Sequence, residues 1–89
     1  MAKAEIGWVR SVAEGGKLDV YVQHVGNRWL FYARERRYDP WQPLTDPPLE
    51  DWLHLLSAVT RRVARRRLRP EEIDRVKRTI RERFPEAGV

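Results

Sequence analysis

Hydrophobic and polar positions along the first forty residues alternate with a period of two. From Ile6 to Tyr38 β-branched and aromatic residues recur, broken by Gly15-Gly16 and Gly26-Asn27. Both dipeptides tolerate the backbone angles of tight hairpin turns, so the segment reads as a three-stranded antiparallel meander. A two-residue turn at Gly26-Asn27 sets His24 opposite Trp29, Val22 opposite Phe31 and Val20 opposite Ala33 on one face. Tyr21 then faces Tyr32, and Asp19 faces Arg34, on the other. One face is apolar; the other joins an aromatic pair to an opposite-charge pair, combinations that stabilise sheets. For the first strand, an odd loop at Gly15-Gly16 turns Ile6, Trp8 and Val12 inward and an even loop turns Val9 inward. The odd loop is favoured because it buries Trp8, although it also points Arg10 inward, a cost that an edge position relieves.

Residues 39–48 hold four of the six prolines, Pro40, Pro43, Pro47 and Pro48, together with Trp41 and Leu44. The stretch is too apolar for a flexible linker and too rich in proline for a central strand, so an ordered crossover anchored to the core by Trp41 is expected. Pro40-Trp41-Gln42-Pro43 has the minimal spacing of a proline-motif ligand, but an ordered crossover explains it as well.

After residue 48 the period changes to that of a helix. Leu49, Trp52, Leu53, Leu56, Val59 and Val63 recur at three and four residues. With Asp46 as a possible cap and Pro47, Pro48, Glu50 and Asp51 at the start, this predicts a helix over about 47–67. Pro70, Glu71 and Glu72 open a second, over about 70–84, with Ile73, Val76, Ile80 and Phe84 on one side and Pro85 at its end. Glu71 and Arg75, Asp74 and Arg78, and Arg78 and Glu82 stand one turn apart and could pair. The fold expected is therefore α+β, in the order β-β-β-α-α. It forms a single small domain over residues 1–89, with the sheet over about 5–38 and both helices packed on one face of it.

Composition narrows the function classes. The 89 residues contain no cysteine, which excludes disulfides, thiol catalysis and cysteine-bearing metal sites, and hints at a reducing, cytoplasmic compartment. The longest wholly apolar or aromatic run, Trp29 to Ala33, has five residues against the roughly 20 of a membrane-spanning helix. No membrane partner and no secretory leader are expected. His24 and His54, on separate elements and without acidic partners at ligand spacing, give no metal or base motif, and no phosphate-cradling glycine loop is present. No catalytic residue, metal ligand or cofactor is assigned, and an enzyme is not expected.

Charge is the uneven feature. Residues 61–69 read RRVARRRLR, six arginines and no acid, while the rest of the chain holds twelve basic and thirteen acidic residues. The net charge of +5 thus resides in this segment. On a helical projection Arg61, Arg62, Arg65 and Arg69 fall away from the apolar stripe, and Arg67 falls near it. Guanidinium groups bind phosphate bidentately, so Arg61, Arg62, Arg65, Arg66 and Arg69 are candidates for a nucleic-acid backbone contact. Tyr21 and Tyr32, with Arg34 and Arg36 further along the same face, could add stacking or backbone contacts. Cations at a helix C-terminus also complement its dipole, which needs no ligand. A helix-turn-helix reading fails, because Glu71, Glu72 and Asp74 would meet phosphate at the start of the recognition helix. The function expected is a non-enzymatic binding module for nucleic acid. The alternative is a protein-interaction module or small subunit whose arginines meet an acidic protein surface. Oligomeric state is left open.

Overall fold

Alternating β-branched and aromatic residues do form a sheet. The structure is a computed structural model that describes residues 6–89. Strands β1 (Ile6–Ser11), β2 (Lys17–Val25), β3 (Arg28–Arg34) and β4 (Gln42–Pro43) form one sheet in the order β1-β2-β3-β4. Helices α1 (Leu49–Ala64) and α2 (Glu71–Arg83) follow, and a 3₁₀ turn, Pro85–Ala87, comes after them. This is the expected α+β order with one short strand added. The chain divides into two compact units, a sheet unit ending at Asp46 and a helical unit beginning at Pro47.

The register of β2 with β3 follows from the turn between them. Val25 pairs with Arg28, which leaves Gly26 and Asn27 as a two-residue turn, and Gly26 takes φ 60°. With positive φ at its first central residue only, the turn has the pattern of type II′, which favours glycine there. His24 pairs with Trp29, Val22 with Phe31, Val20 with Ala33, Tyr21 with Tyr32 and Asp19 with Arg34, as the alternation requires. Between β1 and β2, Ser11 pairs with Lys17, so the loop has an odd number of residues. Val12 N–H donates to the Gly16 carbonyl and Gly15 N–H to the Val12 carbonyl, both at 3.0 Å, and Gly15 takes φ 87°. Ile6 and Trp8 consequently share a face with Val20 and Val22, and Val9, on the other face, is 58% exposed. Ile6, Val20, Val22, Phe31 and Ala33 are buried, and the Trp8 ring meets Phe31 edge-on at 6.3 Å. Arg10, half-buried, lies on β1, an edge strand.

The proline crossover is ordered and contributes β4. Tyr32 pairs with Pro43 and Ala33 with Gln42, and Leu44 N–H donates to the Phe31 carbonyl at 2.8 Å. Proline is tolerated because β4 lies at the sheet edge, where one side of the strand needs no donor. Trp41 does not pack on the buried face as expected. It meets Tyr21 edge-on at 4.6 Å, with the Arg34 guanidinium 4.1 Å from its ring centre. The pairing of Ala33 with Gln42 explains this, since it sets Trp41 beside Arg34, on the face of Tyr21 and Tyr32.

In the helical unit α1 starts after Pro48, so the N-cap position belongs to Pro48 and not to Asp46. Its buried positions are Asp51, Trp52, Leu55, Ala58 and Val59. The buried arc is therefore rotated from the expected stripe: Leu55 is fully buried and Leu53 is 41% exposed. In α2, Val76 and Ile80 are fully buried and Glu72 is 7% exposed. Pro85 ends the helix as expected, with Phe84 N–H donating to the Ile80 carbonyl at 2.7 Å. None of the three charge pairs expected on α2 closes to ion-pair distance among the described residues. Exposed pairs gain little from holding two long side chains together.

Candidate nucleic-acid interface

The arginine segment is built around the end of α1 and not along a helix face. The helix stops at Ala64, with Arg65 as its C-cap, so Arg69 does not continue the row of Arg61, Arg62 and Arg65. Arg66 takes φ 62°, the one positive φ outside glycine among the described residues. Arg66 N–H donates to the Val63 carbonyl at 2.9 Å and Arg67 N–H to the Arg62 carbonyl at 2.8 Å. These two bonds form a Schellman motif, in which a left-handed residue reverses the chain and satisfies the last helical carbonyls. Arg69 then leads into α2, its carbonyl accepting Glu72 N–H at 3.0 Å. The sequence pattern missed this stop because arginine is a strong helix former and no glycine marks the left-handed position.

The stop divides the arginines into two sets. Arg61 and Arg62 lie in the last helical turn, where cations complement the carbonyl end of the dipole. Arg61 Nη1 donates to Ser57 Oγ at 2.7 Å, and Arg62 is half-buried. Arg65, Arg66, Arg67 and Arg69 are exposed, and their side chains make no hydrogen bond or ion pair among the described residues. Four exposed arginines thus fall within five residues of one turn. Of the acids that follow at the start of α2, Glu72 is buried, leaving Glu71 and Asp74 exposed. Arg67, set aside on the helical projection, joins the exposed set because the projection ends at Ala64.

The candidate sheet residues come together differently. Tyr21 and Tyr32 stack on each other, ring centres 5.2 Å apart and 21° from parallel. Arg34 Nε donates to Asp19 Oδ2 at 3.3 Å while its guanidinium covers Trp41. Rings and charges on this face are spent largely on one another. Arg36 lies beyond the end of β3, so it does not share the face of Arg34. It opens a turn in which Asp39 N–H donates to the Arg36 carbonyl at 3.0 Å and Arg36 N–H to Asp39 Oδ2 at 3.2 Å. The turn carries Tyr38, which is 92% exposed. Nothing in the alternation singled out Tyr38, although Asp39-Pro40 directly after it is a turn signal.

Beside this turn lies an open cavity of about 400 Å³. Leu18, Ala33, Pro40 and Leu44 give it apolar walls, with Glu35 and Asp39 among its polar groups. The His24 ring stacks on Trp29 at 4.0 Å, and His54 is exposed on α1. No group of three metal-ligating side chains gathers among the described residues. No helix among them is long and apolar enough to cross a membrane. Comparison with protein-family models, curated proteins and solved structures finds no match.

Proposed function

We propose that this chain is a nucleic-acid-binding module that holds phosphate through the turn between α1 and α2. The observation that carries the reading is the exposure of Arg65, Arg66, Arg67 and Arg69 without partnering acids. Cations brought together in this way raise the local potential, and their mutual repulsion is relieved when polyanion phosphates replace small counterions. Arg61 and Arg62 flank the turn and add charge, although Arg61 is already bonded to Ser57. Tyr21, Tyr32 and Arg34 contribute less on this reading, because each is engaged with a neighbour on the sheet.

The test is direct binding of a fluorescent oligonucleotide at low salt, comparing the native chain with a variant in which Arg65, Arg67 and Arg69 are all replaced by Gln. These three side chains are exposed and make no hydrogen bond or ion pair among the described residues, so the variant is expected to keep the native circular dichroism spectrum and to lose on the order of tenfold or more in affinity. Equal affinity in the two proteins would refute the assignment. So would a native chain that ignores oligonucleotides but binds an acidic protein in fixed stoichiometry.

A further inference from the structure

We infer that Tyr38 is a stacking site for an unpaired nucleobase, with Arg36 and Arg37 holding the adjoining phosphate, a refinement that rests on the nucleic-acid reading above. Tyr38 and Arg37 are the two central residues of the turn closed by the hydrogen bonds between Arg36 and Asp39. Two bonds over four residues fix that backbone, so little ordering entropy remains to be lost on binding. The ring itself is 92% exposed and makes no ring contact among the described residues, which leaves both of its faces open. Tyr21, Tyr32 and Trp41 differ in this respect, because each already meets another ring.

Charge beside the ring favours an anionic, flat ligand. Arg36 and Arg37 are exposed and their guanidinium groups pair with no acid among the described residues. Of the two neighbouring acids, Asp39 is committed to the Arg36 N–H and Glu35 is exposed. A nucleotide supplies a π-face for tyrosine and a phosphate for arginine at adjacent positions, the pairing used to bind single strands. A base within a duplex has no free face, so the site selects unpaired nucleic acid.

The experiment measures binding of the full chain to an unstructured oligothymidylate and to a blunt-ended duplex of equal length. Native protein is compared with Tyr38→Ala, Tyr38→Phe and the triple Gln variant of the α1–α2 turn. Tyr38→Ala is expected to weaken single-strand binding about fivefold or more while leaving duplex binding unchanged. Tyr38→Phe keeps the ring and should stay within about twofold of native, whereas the triple Gln variant should weaken both ligands. If Tyr38→Ala binds the single strand as well as native does, or loses the duplex equally, the stacking site is wrong while the nucleic-acid reading stands. If the native chain binds neither ligand, the reading itself falls.

Discussion

Arg66 is the residue at which local conformation and side-chain choice disagree most. Its φ of 62° lies where a Cβ crowds the backbone, and glycine is the usual occupant of that position in a Schellman motif. Replacing Arg66 by Gly should therefore stabilise the protein by about 1 kcal/mol, read as a higher denaturant midpoint with an unchanged slope. The same substitution removes one guanidinium from the α1–α2 turn, so a lower affinity for oligonucleotide should accompany the gain. A variant that became less stable would show that the Arg66 side chain supplies packing or hydrogen bonding that outweighs the strain. Arginine at this position costs stability, and on the proposed function that cost sustains the charge of the turn.

At the scale of elements, α1 offers a clean test of which face is buried. Leu55 is fully buried and Leu53, two residues earlier, is 41% exposed. Leu55→Ala should cost about 2–5 kcal/mol through lost burial and the cavity left behind, and Leu53→Ala about 1 kcal/mol or less. Thermal or denaturant unfolding of the two variants measures the difference directly. Near-equal losses would contradict the helix orientation described above.

The β2–β3 register was legible in full, because a two-residue turn fixes the pairing and a shift of one would have exposed Val20 and Val22 together. The odd β1–β2 loop was legible from the demand to bury Trp8. In α1 the apolar residues cover a broad arc, and six positions at three and four spacing define its centre poorly. Asp51, fully buried in the first turn, lies within the true arc, and a carboxylate there is invisible to a hydrophobic pattern. β4 was hidden by Pro43, which an edge position permits. The candidate site was legible as an unbalanced count of arginines but not as a turn, because its reversal uses arginine where glycine would have announced it. Tyr38 carries no periodic signal at all, since it stands outside any strand and its exposure comes from the turn that holds it.

For the whole molecule, charge is the organising property. The chain carries +5 with a pI of about 10.2, and the arginines of residues 61–69 account for that excess. Arg36 and Arg37 form a second, smaller basic site in the sheet unit, beside the exposed Tyr38. On the proposed function the first site would supply electrostatic affinity that ignores sequence, and the second a preference for unpaired strands. On the proposed function, the exposed arginines of the α1–α2 turn each neutralise a phosphate. The measurement that tests it most directly is the dependence of oligothymidylate affinity on salt concentration. For the native chain the logarithm of the affinity should fall linearly with the logarithm of salt. In the variant carrying Gln at 65, 67 and 69, the slope should be shallower by about 2, three contacts at roughly 0.7 each on a single strand. Parallel lines for the two proteins would contradict the account, because they would mean that these arginines touch no phosphate.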